Sequence, residues 1–197
     1  MRVLFITLGV LIADQVTKLL VKGVSVPALG IAVEGMHYGE SIPVFGDWFK
    51  ITYIENPNMA FGLEFGGKPL LVAVAFLASI GILVYLWKHR DGNPWFRVAL
   101  ALILAGAVGN LIDRTFYGFI DGAAPMFQGN VVDFINFDLF TIDLFGSSFK
   151  FWPIWNIADA AVSVGVVLLL IIGIPQKTED PGEVHTSASR GDSIPDA

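Results

Sequence analysis

The chain of 197 residues contains no cysteine and few charged residues. Without thiols it cannot build a disulfide framework, a thiolate metal site or a cysteine nucleophile. Charged residues make up 15% of the chain, against about 25% in typical globular domains. The 18 acidic residues outnumber the 12 basic ones, which excludes a nucleic-acid binder of the basic kind.

The sequence also lacks the short motifs of several enzyme classes. It has no H-E-x-x-H, no G-x-S-x-G and no G-x-x-x-x-G-K-[ST]. Its three histidines, His37, His89 and His185, are scattered along the chain. A Ser–Lys peptidase would need a serine near Lys18, and no serine stands in a distinctive setting. No metal or cofactor is therefore indicated, and carboxylates remain as the candidate catalytic groups.

Apolar sequence is abundant, at 54% hydrophobic residues and a mean hydropathy of +0.66. Four apolar stretches approach the roughly 20 residues that a membrane-spanning helix needs. They run over about 3–21, 69–87, 96–116 and 154–174. The prediction is an all-α polytopic membrane protein with four transmembrane helices. We expect the first segment to be retained as a helix, because Asp14 and Lys18 interrupt its apolar run.

The connections between these segments predict the topology. The loop 88–97 carries three basic residues, which places it in the cytoplasm together with both chain ends. The outer loops are then 22–68 and 117–153, and their β-branched and aromatic stretches predict a small extracytoplasmic β-structured patch. Residues 1–174 are predicted to form a single domain. Residues 175–197 are rich in Pro, Gly, Ser and acid, which predicts a disordered cytoplasmic tail.

Polar residues inside the apolar segments gather near one membrane face. A charge at mid-bilayer costs roughly 2.5–3.5 kcal/mol, so such residues suggest function. Because successive helices alternate in direction, the end of the first, the end of the third and the start of the fourth lie at the same face. The residues concerned are Asp14, Lys18, Asn110, Asp113, Arg114, Asn156 and Asp159.

Individual members of this group also have structural interpretations. Asp14 and Lys18 are four residues apart and can form an ion pair that holds the bundle. Asp113 is predicted to be structural, whereas Arg114 is expected to meet the catalytic carboxylates, a loop or a substrate carbonyl. Asn156 is well placed to cap the fourth helix, which leaves Asp159 for another role.

The outer loop supplies a candidate second carboxylate that could fold back against Asp159. Asp133 stands alone in an apolar run, but from the residues alone Asp138 and Asp143 are equal candidates. Two carboxylates a few ångströms apart share one proton, so one can activate water while the other protonates a leaving amine. Two alternatives remain open: a small ion-coupled transporter or channel that uses the same buried charges, and a non-enzymatic lipid-binding or assembly factor.

Five short segments, taken together and in order, resemble the lipoprotein signal peptidase family (signal peptidase II), aspartic peptidases of the bacterial inner membrane. They are Asp14-Gln15-Val16-Thr17-Lys18, Asn56-Pro57-Asn58-Met59-Ala60-Phe61-Gly62, Gly109-Asn110-Leu111-Ile112-Asp113-Arg114, Val131-Val132-Asp133-Phe134 and Trp155-Asn156-Ile157-Ala158-Asp159. The resemblance implies that Asp133 and Asp159 form the catalytic pair. It also implies that Asn56, Asn110, Arg114 and Asn156 support the site, with Asp14 and Lys18 stabilising nearby structure.

The resemblance further implies the substrate and the setting. The substrate would be a prolipoprotein with diacylglycerol on a cysteine, cut just before that cysteine, and globomycin-type cyclic peptides would inhibit the reaction. The site would lie near the periplasmic face of the inner membrane, among membrane lipids, in a protein expected to be a monomer. Asn58 replaces the usual Gly and Trp155 the usual Phe, and the connection 117–153 is long.

Overall fold

The computed structural model describes residues 2–26, 30–57, 67–138, 141–144, 147–150 and 153–173. Its helices are α1 (Leu4–Lys22), α2 (Gly67–Lys88), α3 (Pro94–Ile112), α4 (Gly118–Ile120) and α5 (Ile157–Ile172), with a π-helical turn at Asp113–Tyr117 between α3 and α4. Its strands are β1 (Val24–Val26), β2 (Ile31–Val33), β3 (Ser41–Phe45), β4 (Phe49–Asn56), β5 (Val131–Phe137), β6 (Thr141–Leu144) and β7 (Ser147–Lys150). Asn58 and the tail 175–197 lie outside the described residues.

The architecture combines apolar helices with small antiparallel sheets. Within the described residues, three helical stretches are long and apolar enough to cross a membrane: Leu4–Lys22, Gly67–Lys88 and the continuous Pro94–Ile120. The fourth apolar helix, α5, has 16 residues, which at ~1.5 Å per residue span about 24 Å. All-α is therefore too narrow a description, because β4 and β5 carry part of the polar network described below.

Local sequence explains where the helices begin. Asn93 caps α3 by accepting hydrogen bonds from the backbone N–H groups of Trp95 and Phe96, and Pro94 occupies the first helical position. Asn156 caps α5 by accepting from the N–H of Asp159. Helix α5 starts three residues later than the apolar run, because Trp155 is still paired with Ile135 of β5 through backbone hydrogen bonds.

Glycines bring α3 and α5 into close contact. A Cβ on Gly106 would lie 2.2 Å from the carbonyl oxygen of Ala158, and one on Gly165 would lie 2.7 Å from the carbonyl oxygen of Ala99. Small residues at such positions let helix backbones approach closely, as is common in membranes. This packing brings the end of α3 beside the start of α5.

The main sheet has the strand order β3-β4-β5, all antiparallel, and β1-β2 and β6-β7 form separate two-stranded sheets. Between Ile51 and Ile54, two residues of β4 oppose one residue of β5, so β4 contains a β-bulge. Val132 and Phe134 of β5 are buried with Tyr53, Val21 and Tyr117 in a core cluster. This cluster packs the sheet against the ends of α1 and α3.

Candidate active site

Asp133 is buried in the middle of β5, 1% exposed. Both of its carboxylate oxygens accept hydrogen bonds from asparagine amides. Asn156 donates to Oδ1 at 2.6 Å and Asn56 donates to Oδ2 at 3.1 Å. β4 supplies Asn56 and the cap position of α5 supplies Asn156, so Asp133 is fixed by two neighbouring elements.

Asp159 lies in the first turn of α5 and is partly buried. Asn110, near the end of α3, donates from Nδ2 to its Oδ1 at 2.8 Å. The backbone N–H of Asp159 donates to Oδ1 of Asn156 at 2.9 Å. The predicted capping role of Asn156 is confirmed by this bond.

Two asparagines connect the carboxylates of Asp133 and Asp159. Asn156 Nδ2 also lies 3.3 Å from Asn110 Oδ1 and 3.2 Å from the carbonyl oxygen of Val132. A continuous path of hydrogen bonds therefore runs from Asp133 through Asn156 and Asn110 to Asp159. Because an amide donates only through nitrogen and accepts only through oxygen, each contact in this path fixes the orientation of the next.

Burial, followed by the nearby charge of Asp159, raises the pKa of Asp133 to about 7. The hydrogen bonds from Asn56 and Asn156 oppose this rise because they favour the carboxylate. A carboxyl group with a pKa near neutrality can both hold and release a proton at physiological pH. This is the protonation behaviour that a general acid or base requires.

A buried ion cluster supports the carboxylate pair. Lys18 Nζ lies 2.9 Å from Asp14 Oδ2 and 2.7 Å from Asp113 Oδ2, and all three side chains are fully buried. The same ammonium donates to Asn110 Oδ1 at 3.0 Å. The predicted pairing of Asp14 with Lys18 is confirmed. Because Lys18 donates to Oδ1 of Asn110, the amide nitrogen of Asn110 is turned toward Asp159.

The cluster also holds the backbones of the two elements that carry the carboxylates. Asp14 accepts from the N–H of Ala158 at 2.8 Å, and Asp113 accepts from the N–H of Val132 at 3.3 Å. Ala158 precedes Asp159, and Val132 precedes Asp133. Each structural carboxylate therefore anchors the residue next to a candidate catalytic one.

The structure brings together the residues that the sequence singled out. The charge of Arg114 interacts with those of Asp113, Asp133 and Asp159, and its direct contact with the catalytic carboxylates stays a prediction. Asp138 instead pairs with Lys50, 3.6 Å away at the far end of β4 and β5. The side chain of Asp143 lies outside the described residues.

Sequence reasoning assigned no role to Gln15 or Tyr117, which both belong to the network. Gln15 donates to Asp14 and to Asp113, at 3.1 and 3.0 Å, and accepts from the Tyr117 hydroxyl at 3.0 Å. Asp113 was predicted to be structural, but its sharing of Lys18 with Asp14 was not foreseen. Gln15 could have been identified from its position, because it lies between Asp14 and Lys18 in a largely apolar helix.

Comparisons with known proteins identify relatives of this chain. The family model described as signal peptidase (SPase) II matches residues 6–174. A lipoprotein signal peptidase from Chlorobium phaeobacteroides is 36% identical over 85% of this chain and 88% of its own length. One from Pelodictyon phaeoclathratiforme is 37% identical over 84% and 86%, respectively. A solved structure described as a bacterial membrane enzyme has a TM-score of 0.63, with 30% identity over 87% of this chain and 86% of that one.

The apolar helices, together with the similarity to a solved membrane enzyme, define a membrane-embedded enzyme. The chain belongs to the signal peptidase II family, and it is therefore a peptidase.

Proposed function

We propose that this peptidase removes the signal peptide from diacylglyceryl-modified prolipoproteins, cutting just before the lipidated cysteine. The observation that carries the proposal is the amide-connected pair of carboxylates, buried Asp133 and partly buried Asp159, where α1, α3 and α5 meet. Family membership favours this function over a transporter or channel. The named substrate class comes from the relatives, which are lipoprotein signal peptidases.

In the proposed mechanism, Asp133 and Asp159 share one proton. The ionised carboxylate takes a proton from a water molecule, whose oxygen attacks the carbonyl carbon before the cysteine. The protonated carboxyl group gives its proton to the leaving amine as the C–N bond breaks. Asn56, Asn110 and Asn156 hold the two carboxylates, and Arg114 balances their negative charge. The reaction is that of an aspartic endopeptidase, without a covalent intermediate.

The setting of the reaction is part of the same proposal. We propose that α5 is the fourth transmembrane helix, that both termini are cytoplasmic and that the site lies near the periplasmic face of the inner membrane. Exposed apolar side chains on the helices, such as Leu77 and Leu170, support contact with lipid. The enzyme works as a monomer and is inhibited by globomycin-type cyclic peptides.

The test uses two synthetic peptides with the same prolipoprotein sequence, one with diacylglyceryl-cysteine and one with unmodified cysteine. The purified enzyme in detergent should cut only the lipidated peptide, and mass spectrometry should map the cut to the bond before the cysteine. A globomycin-type peptide should stop the reaction. Equal cleavage of both peptides, or a cut elsewhere, would contradict the proposed specificity.

A further inference from the structure

A second polar cluster lies beside the candidate active site, around Glu55 of β4. The Glu55 carboxylate accepts from the ammonium of Lys22, from the Tyr53 hydroxyl at 2.7 Å and from Asn130 Nδ2 at 3.1 Å. Lys22 is also 2.8 Å from Asp121 Oδ2. The cluster joins the last residue of α1 to the end of β4 and to the chain that follows the π-helical turn.

The central ion pair of this cluster is largely shielded from water. The side chains of Lys22 and Glu55 are 14% and 24% exposed. Partial burial opposes ionisation of Glu55, but hydrogen bonds from Lys22, Tyr53 and Asn130 hold its pKa below the ordinary value. The ionised form of Glu55 is therefore favoured, and its contact with Lys22 is charge-assisted.

Glu55 and its neighbour Asn56 point to opposite faces of the sheet, because side chains alternate along a strand. Glu55 is paired across the sheet with Val132, and Ile54 is paired with Asp133. Glu55 therefore lies on the core face, and Asn56 lies on the face that carries Asp133. If the pairing of β4 with β5 slipped by one residue, Glu55 and Asn56 would exchange faces and the Asn56 amide would no longer reach Asp133.

The bulge in β4 makes such a slip a real alternative. Pairing upstream of the bulge, from Phe49 to Ile51, does not determine the register downstream, since the extra residue breaks the ladder. Only three residue pairs follow the bulge before β4 ends at Asn56. Glu55 is the second of the three β4 residues in these pairs, and its ion pair with Lys22 attaches it to α1, the helix that also carries Asp14 and Lys18.

We propose that the Lys22–Glu55 ion pair holds the end of β4 in register, so that Asn56 donates to Asp133. Lys22 and Glu55 are thus positioning residues for the peptidase reaction. This role rests on the proposed function only in that Asp133 is taken as a catalytic residue. The ion pair touches neither candidate catalytic carboxylate, and it acts through Asn56.

The same strand provides a matched control. Lys50, near the start of β4, forms an ion pair with Asp138 at 3.6 Å, with side chains 24% and 22% exposed. This pair lies on the other side of the bulge and resembles the Lys22–Glu55 pair in burial. Lys50→Met therefore removes an ion pair from β4 without changing the register at Asn56.

The experiment compares Glu55→Gln, Lys22→Met and Lys50→Met as purified full-length enzymes acting on a lipidated peptide. Misplacement of a group by about an ångström can cost roughly 100-fold in rate. Glu55→Gln and Lys22→Met should lower kcat by roughly 10- to 100-fold with KM unchanged, and Lys50→Met should retain the parental kcat. Thermal unfolding in detergent checks that each variant is folded.

A double-mutant cycle with Asn56→Ala then distinguishes positioning from general structural support. If Glu55 acts through Asn56, adding Glu55→Gln to Asn56→Ala should cause no further loss of kcat. A parental kcat for Glu55→Gln, an equal loss for Lys50→Met, or multiplied losses in the double variant would overturn the proposal. Failure of the catalytic role of Asp133 would instead appear as full activity of Asp133→Asn, and failure of the proposed specificity would appear as equal cleavage of the lipidated and unmodified peptides by the parental enzyme.

Discussion

At the scale of single residues, the candidate catalytic carboxylates are contacted by neutral amides. Asn56 and Asn156 contact Asp133, Asn110 contacts Asp159, and Lys18 donates a hydrogen bond to Asn110. An amide orients a carboxylate without adding a positive charge that would strongly favour its ionised form. Amide ligands therefore allow the pKa of Asp133 to stay raised while its position is fixed.

The raised pKa of Asp133 predicts a pH-dependent stability. An aspartate in the unfolded chain titrates near pH ~3.9, whereas burial and the charge of Asp159 bring the pKa of Asp133 to about 7 in the folded protein. Between these values the folded state holds a proton that the unfolded state has lost. The stabilising contribution is complete below about pH 4 and is lost as the pH rises to about 7.

Asp133→Asn does not titrate, so its melting temperature relative to the parent should rise between about pH 4 and 7 and then stay level. Thermal unfolding of both proteins in one detergent, measured from pH 4 to 8, checks this. A difference in melting temperature that is independent of pH would show that Asp133 titrates normally.

Two substitutions of Asn156 can separate its contribution to stability from its contribution to activity. It is fully buried, caps α5 and donates to Asp133. Asn156→Asp keeps an oxygen for the cap but replaces the amide donor by a third carboxylate, so activity should be lost with the helix intact. Asn156→Ala should lose activity and also about 1 kcal/mol of stability from the cap. Cleavage rates and thermal unfolding of the two variants check this; an active Asn156→Asp would contradict it.

At the scale of elements, the contact between α3 and α5 determines where the site forms. Gly106→Ala would place a methyl group 2.2 Å from the Ala158 carbonyl oxygen, and such overpacking costs about 1–3 kcal/mol. We expect a lower melting temperature and reduced activity, because Asn110 and Asp159 move apart. Gly81→Ala in α2 is the control, since nothing lies within 4 Å of its added methyl group. Equal melting temperatures for the two variants would contradict this account of the packing.

Some of these helices and strands can be predicted from local sequence patterns, and others cannot. Apolar length identifies α1, α2 and α3, and alternation identifies the strands now seen as β4 and β5. The π-helical turn at Asp113–Tyr117 was not predicted. Its backbone is bonded to a distant loop, through Gly129 N–H to the Arg114 carbonyl and Phe127 N–H to the Thr115 carbonyl. Such contacts depend on tertiary structure and leave no local pattern.

The candidate site is predictable to the extent that burial of charge is costly. Asp14, Lys18, Asn110 and Asp159 stand out because apolar segments rarely contain such residues. Asp133 cannot be separated from Asp138 and Asp143 by composition, and its selection depended on the family resemblance. The Lys22–Glu55 pair could not be foreseen, because only the fold brings α1 and β4 together.

At the scale of the whole molecule, the proposed membrane topology can be measured. The absence of cysteine permits single labelling sites without background. Asp47→Cys, in the β3–β4 connection, should react with a membrane-impermeant maleimide in intact spheroplasts. Asp91→Cys and Ser187→Cys should react only after permeabilisation, because the proposed topology places the basic loop and the tail in the cytoplasm. Labelling of Ser187→Cys from outside would mean that α5 does not cross the membrane.

Turnover of a lipidated peptide by Asp133→Asn and Asp159→Asn decides whether these two carboxylates are the catalytic pair. Asp138→Asn, which changes another carboxylate on the same segment, is the matched control. We expect kcat to fall by roughly 1,000-fold or more in each of the first two variants, with membrane insertion and folding intact, and the control to stay near the parental rate. Turnover at the parental rate by either Asp133→Asn or Asp159→Asn would contradict the assignment of these two residues as the catalytic pair.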